Sequence, residues 1–297
     1  MDREKVNKSI CMMKSKTLVP PISPELYSEY QVEPVSERMI PTRNGETHLY
    51  VFYPESADKE ALPLVINLHG GAFIKGFGIM DLKFCADMCS KMKCVVVDVD
   101  YKTAPEKRYP YATEECYDAV KYCYENPEEF RVDKSRIAIC GHSAGGNLAA
   151  AVCLMNTERE EFQIKFQFLD YPATDLYTEA ALKKHAYVYP RLNPINCAGF
   201  MSVYIDREDT LLPTASPVFA PSYMLEKLPP TMMFTCELDP LRDEGMEYAR
   251  KLHEAGVPVT AKHFKRSEHG FLVLKTGEEH ALAGKMLFEA LELAFRR

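Results

Sequence analysis

No basic run interrupts the chain. Its 36 lysines and arginines are scattered among 43 aspartates and glutamates, for a formal charge of -7. That balance leaves neither nucleic acid nor an anionic membrane surface as a natural partner. Nowhere does an apolar stretch approach the length of about 20 residues needed to span a bilayer. Met1-Asp-Arg-Glu-Lys5 carries charge with no signal-peptide core behind it, so a cytoplasmic protein without stable membrane association is expected. Internal repeats and low-complexity tracts are missing as well. The 10 cysteines lack the paired spacing of a zinc site. Cys94, Cys123, Cys140, Cys153 and Cys236 sit inside apolar segments, and Cys85 and Cys89 share a helix face, so buried reduced thiols are expected and no metal.

What is present centres on Arg136-Ile-Ala-Ile-Cys-Gly-His-Ser-Ala-Gly-Gly-Asn-Leu-Ala-Ala-Ala-Val152, an apolar β-type run that breaks at glycine and resumes as an alanine-rich helix. Ser143 sits at the break. Gly141 and Gly145 have no Cβ to clash in a tight strand-turn-helix, so a strained serine can project its hydroxyl from the sheet's edge. The helix that follows adds the positive end of its dipole. A G-x-S-x-G pattern arises by chance roughly 0.1 times in a chain of this length at ordinary glycine usage. The partner motifs therefore decide.

Taken in order, Pro20, Pro21 and Pro24 precede a short helical segment at Glu25–Tyr30, within an amino-terminal appendage of residues 1–34. Val35–Ile40 and His48–Tyr53 flank Asn44-Gly45, a strong hairpin signal, so two antiparallel strands open the sheet. Leu64–Leu68 reads as a buried strand that runs into the glycine-rich loop His69-Gly-Gly-Ala-Phe-Ile-Lys-Gly76. Helical periodicity over Met80–Lys91 and Thr113–Glu125 alternates with strands at Cys94–Val99, Ile137–Cys140 and Lys165–Leu169. An insertion at about 176–226, rich in proline and aromatics, shows no clear alternation. Thr231–Cys236 and Val259–Phe264 return as strands, Arg242–Ala255 and Ala281–Phe295 as helices. This alternation implies a mostly parallel central sheet with helices on both faces and ligands at the carboxyl ends of the strands, where every glycine-rich loop falls. The hydrophobic content of 46% is ample for one such domain, residues 35–297, plus a cap.

A serine hydroxyl is a weak nucleophile near neutral pH and needs a base, which in turn needs an orienter. Among the 8 histidines, His269 is the best base because Ser267-Glu-His-Gly-Phe271 follows the last strand in a loop. His48, His253, His263 and His280 fall in hairpin, strand or helix and read as structural. His142 neighbours the serine on a sharp turn, points away from it, and lines the site. For the orienter, Asp239 is favoured because Pro240 fixes a turn there; Glu237 is weaker, and Asp243 reads as a helix cap or turn buttress. The order Ser, Asp, His results. Backbone N–H groups of Gly71, Ala72 and Ala144 are placed to receive an oxyanion. Lys75 competes as an anion binder, against its reading as a solvated lysine.

At this point the chain resembles the hormone-sensitive-lipase family of α/β-hydrolase carboxylesterases. His69-Gly-Gly-Ala-Phe73, Asp100-Tyr-Lys-Thr-Ala-Pro-Glu106, Gly141-His-Ser-Ala-Gly-Gly146, Asp239-Pro-Leu-Arg-Asp-Glu244 and His269-Gly-Phe271 occur in the family's order, over residues 35–297. The resemblance implies the α/β-hydrolase fold with a helical cap made from the amino-terminal segment and the insertion. It also implies carboxylester hydrolysis without cofactor, and Ser143, Asp239 and His269 as triad. Two positions depart from the family. Ala72 stands where a third glycine is usual; its methyl leaves the N–H intact but narrows the entrance against bulky or tertiary-alcohol esters. His142 stands where aspartate is usual. The expected partner is a small ester with a short acyl group, and a homodimer is compatible with the composition. Tyr187, Tyr189, Phe200, Tyr204 and Phe219 are candidates to line the pocket. Two alternatives stay open: an amide or formamide hydrolase of the arylformamidase kind, and a non-catalytic ligand-binding member of the fold.

Overall fold

In the computed structural model, which describes residues 3–55, 61–185 and 187–296, the sheet begins with the hairpin at Asn44-Gly45. Gly45, at φ +123°, makes the turn between β1 (Ser36–Thr42) and β2 (Gly45–Phe52). Met1, Asp2, Ala186 and Arg297, the outer limits of the expected segments and one residue of the insertion, lie outside the described residues. Six further strands follow: β3 (Leu62–Leu68), β4 (Val95–Asp100), β5 (Val132–His142), β6 (Phe166–Asp170), β7 (Thr231–Leu238) and β8 (Val259–Glu268). They stand in the order β1-β2-β4-β3-β5-β6-β7-β8. β2 pairs antiparallel to both β1 and β4, and the remaining neighbours are parallel.

Parallel strands need covered faces. The register supplies two apolar sides: Ile66 stands between Val97 and Ile139, and Val65 between Val96 and Ala138. The first set faces the core that includes α3 (Tyr111–Glu125), α5 (Ala144–Arg159) and α8 (Arg242–Glu254). The second faces α2 (Ile79–Met92) and α10 (His280–Arg296). Each fully buried aliphatic side chain in these layers contributes roughly 1.5–3 kcal/mol relative to exposure. Three single-turn helices also occur among the described residues: α4 (Pro127–Phe130), α7 (Ser222–Leu225) and α9 (Phe271–Leu274). All 10 cysteines are free, and burial raises the thiol of Cys94 to about 12.

One amino-terminal expectation differs from the structure, and one helix was not anticipated. The segment at 25–30 makes only a 3-10 turn, Pro24–Leu26, where proline starts the turn and Tyr27 turns its hydroxyl to the Val35 amide at 3.1 Å. A helix forms earlier, as α1 (Arg3–Lys14), and among its described side chains the buried stripe is Val6 and Ile10. So narrow a stripe needs a partner, and α6 (Pro194–Tyr204) provides it. Gly199 on α6 lets the two helices approach, since a Cβ there would stand 2.7 Å from Val6 Cγ2. Within the insertion between β6 and β7, the prolines that blur the pattern act as starters. Pro190 and Pro217 open 3-10 turns, Pro194 opens α6, and Pro221 precedes α7. Among the described residues, no helix is long and apolar enough to cross a membrane.

Candidate active site

Ser143 joins β5 to α5 at φ 55°, ψ -114°, a conformation that costs of the order of 1–3 kcal/mol and persists only where its surroundings enforce it. The enforcement is local. A Cβ on Gly141 would lie 2.1 Å from the Gly145 carbonyl oxygen, and one on Gly145 would lie 1.9 Å from that of Leu68. Both glycines are required by contact. The Ser143 amide donates to the Asp170 carbonyl at 2.9 Å, while its own carbonyl accepts from Asn147 and Ala173. Ala144, the first residue of α5, has an N–H without an acceptor inside its helix.

His269 arrives from β8. The pairing of Leu238 with Glu268 brings the ends of β7 and β8 together, so Asp239 and His269 emerge side by side. Gly270, at φ +89°, turns the chain into α9. His269 Nε2 lies 2.9 Å from Ser143 Oγ, and Nδ1 lies 2.8 Å from Asp239 Oδ2. The other carboxylate oxygen of Asp239 accepts the Leu241 N–H at 2.9 Å, across the turn at Pro240. Asp239 is wholly buried, and the rings of Tyr171 and Tyr189 pack 4.6 and 5.7 Å from the imidazole. Serine, imidazole and carboxylate thus form one hydrogen-bonded line.

The glycine loop after β3 abuts the elbow: a Cβ on Gly70 would sit 3.0 Å from the His142 carbonyl oxygen and 3.6 Å from Ser143 Cβ. Gly71 adopts φ +139° and Ala72 φ +54°. Behind the loop, Tyr101 donates its hydroxyl to the His69 carbonyl at 2.8 Å and stacks on the His69 ring at 4.2 Å. Lys75 is half-buried and ion-paired with Asp81, so it is committed rather than solvated. The residues after α1 strap the loop's far end, Thr17 Oγ1 accepting from Gly76 and the Leu18 amide donating to Phe77.

Two cavities meet at Ser143 and Ala72. One, of about 270 Å³, runs past Phe73, Ala144, Leu176, Met201 and Leu241. The other, of about 350 Å³, contains His269, Tyr171, Tyr189, Met80 and Val273. Of the candidate aromatics, Tyr189 and Phe200 line these cavities. Tyr204 is buried in a stack on Phe73, Tyr187 is largely exposed, and Phe219 lies beside a separate cleft. The remaining polar candidates are used elsewhere. Glu237 bonds His263 and Arg242, and Asp243 bonds Arg242 from inside α8 rather than capping it. Among the described residues, no group of His, Cys, Asp and Glu is placed to hold a metal ion.

Two neighbours of the site escape the sequence reading. Glu244 is buried on α8, accepts the amides of Thr174 and Asp175, and pairs with Lys183 of the insertion. Burial pushes its carboxyl up to about 7, against the pull of the Lys183 ammonium. Asp170, at the end of β6, holds both the Ser143 amide and His142. The signals available were the carboxylates of Asp170-Tyr-Pro172 and Asp239–Glu244 at strand ends, but sequence does not say which of them are buried.

A strained serine after the middle strand of this strand order, with an imidazole and a buried carboxylate converging from the last two strands, defines a hydrolase of the α/β class. A family profile described as the alpha/beta hydrolase fold matches residues 65–273. The chain is 34% identical to the carboxylesterase NlhH of Mycobacterium tuberculosis over 84% of its own length and 78% of the relative's. It is 32% identical to an arylesterase of Saccharolobus solfataricus over 70% and 68%. Against an α/β hydrolase of Acanthamoeba polyphaga mimivirus it is 31% identical and spans 63% of that protein's length. The solved esterase of Pyrobaculum calidifontis superposes with a TM-score of 0.84 at 34% identity, covering 99% of this chain and 92% of that one. The chain belongs to the hormone-sensitive-lipase family of α/β-hydrolase carboxylesterases.

Proposed function

We propose that this chain hydrolyses small carboxylic esters through an acyl-enzyme on Ser143. The observation that carries the reading is the 2.9 Å approach of His269 Nε2 to Ser143 Oγ with Asp239 2.8 Å from the other ring nitrogen. His269 takes the serine proton as Oγ attacks the ester carbonyl, then gives it to the leaving alkoxide. Water repeats the sequence on the acyl-enzyme. Asp239 holds the imidazole in the tautomer that leaves Nε2 free to accept, and stabilises the imidazolium. The amides of Gly71, Ala72 and Ala144 receive the oxyanion, and loss of one such donor costs roughly 3 kcal/mol of transition-state stabilisation.

The leaving alcohol must be within reach of His269, and His269 borders only the larger of the two cavities that meet at Ser143. The alcohol therefore belongs on that side and the acyl group in the smaller, mostly apolar cavity beside Ala144 and Leu241. Its size favours short acyl chains. The segment before residue 35 and the insertion at about 176–226 serve as the cap, since α1 and α6 pack together and Met13 and Phe200 line the cavities. Free, buried thiols fit a reducing compartment such as the cytoplasm. A panel of p-nitrophenyl esters from acetyl to palmitoyl, with matched anilides and Ser143→Ala as blank, tests the proposal. Hydrolysis should be greatest among the short esters and vanish in the blank. Turnover undiminished by Ser143→Ala, or confined to the anilides, would overturn it.

A further inference from the structure

Directly beneath the nucleophile lies a second imidazole–carboxylate pair. His142 Nδ1 is 2.9 Å from Asp170 Oδ2; the ring is 2% exposed and the carboxylate wholly buried. The pair sits on the α2 side of the sheet, where the edge of the Phe84 ring meets the imidazole at 4.5 Å, with Phe168 and Tyr171 beyond. Asp170 has two further attachments to the reacting groups. Its carbonyl accepts the Ser143 amide at 2.9 Å. Its chain neighbour Tyr171, at a left-handed φ of 36°, packs its ring 4.6 Å from that of His269.

These links give one short segment, residues 170–171, a hold on both nucleophile and base. Its own backbone is strained at Tyr171, and so is the elbow it supports at Ser143. Strained backbone persists only where neighbouring contacts over-determine it. The His142–Asp170 hydrogen bond, with the His142 ring's contacts to Phe168 and Tyr171, ties the two strained strand ends, β5 and β6, to each other. Burial alone pushes the Asp170 carboxyl upward, and the imidazole is the main group that opposes this. The Tyr171 hydroxyl also bonds this carboxyl, so removing the imidazole takes away the larger of its two side-chain partners and leaves the Asp170–Tyr171 contact to hold a buried acid alone.

We infer that His142 and Asp170 act together as positioning residues for ester hydrolysis, holding the Ser143 elbow and the Tyr171 platform of His269 in register. The inference rests on the proposed role of Ser143 as nucleophile. Asparagine can present an N–H where the imidazole Nδ1 stood, whereas alanine cannot, so the two substitutions separate bond from bulk.

The experiment compares His142→Ala, His142→Asn, Asp170→Asn and the His142→Ala/Asp170→Asn double variant. It reads kcat and KM on p-nitrophenyl acetate, the rate of covalent capture of Ser143 by a fluorophosphonate, and thermal unfolding of each. Misplacing reacting groups by about an ångström typically costs up to 100-fold. His142→Ala and Asp170→Asn should each lower kcat by roughly 10- to 100-fold with KM little changed, and should slow capture in parallel. His142→Asn should restore most of the loss, and the double variant should be no worse than the poorer single one. Undiminished kcat in folded His142→Ala would overturn the inference, as would a loss that asparagine fails to rescue or one carried by KM. If the parent protein is not captured at Ser143, the nucleophile assignment itself fails, which is a separate and recognisable result.

Discussion

At Ala72 a backbone demand and a steric one meet. The residue adopts φ +54°, where an L side chain costs roughly 1–2 kcal/mol relative to glycine, and its methyl stands where the two cavities join. Ala72→Gly should keep the oxyanion amide, leave stability unchanged or slightly raised, and increase the rate on esters of tertiary alcohols relative to p-nitrophenyl acetate. A rate ratio measured on the two substrate classes checks this. In the proposed mechanism Asp239 orients the imidazole, so Asp239→Asn should lower kcat by about four orders of magnitude, by analogy with serine proteases. Ser143→Ala should lower it by about six. Ser143, Asp239 and His269, the proposed triad, could be picked out because each follows a strand's carboxyl end within two residues of glycine or proline. His142 was legible as a departure from its family, but the partner that gives it meaning, Asp170, lies 28 residues away on another strand.

Among the elements, those with the clearest periodicity were found where expected: β3, β4 and β6 as short apolar runs, and α5 behind its glycines. β5 and β8 extend further than their apolar stretches, to Val132 and to Glu268, because pairing with a neighbour carries polar residues into the ladder. α1 was missed for the opposite reason: two buried residues on a mostly polar helix give little signal until α6 is there to receive them. That dependence is testable at Gly199. Gly199→Leu would drive a side chain into Val6 and should release α1, so trypsin should cleave within the first 20 or so residues faster than in the parent while the hydrolase core survives. Unaltered cleavage kinetics would mean that α1 is held by something other than α6. The insertion has its own anchor in the Lys183–Glu244 pair. Lys183→Met removes the charge that opposes the effect of burial on Glu244, so the folded carboxyl should titrate higher still and stability should fall more steeply than the parent's as pH rises above neutral, read by denaturant unfolding on either side of pH 7.

For the molecule as a whole, the same pair sets a pH dependence of stability. Unfolded, Glu244 titrates near its ordinary 4.5; folded, it titrates at about 7. Between these values the native carboxyl retains a proton that the unfolded chain has released, so this residue makes stability fall as pH rises from about 4.5 to about 7. Glu244→Gln removes that titration, and its melting temperature should depend less steeply on pH across this window than the parent's. The wider architecture places the site loops at the carboxyl ends of neighbouring parallel strands, which is why the strand order, and not the loops' own sequences, brings residues 126 apart into hydrogen-bonding reach. The most direct measurement of the central claim is the site of covalent capture by a fluorophosphonate, mapped by peptide mass spectrometry on the parent, Ser143→Ala and His269→Ala. A single adduct on Ser143, absent from Ser143→Ala and formed far more slowly in His269→Ala, is the predicted result. An adduct on a different residue, or full ester turnover by a protein whose Ser143 is never captured, would contradict it.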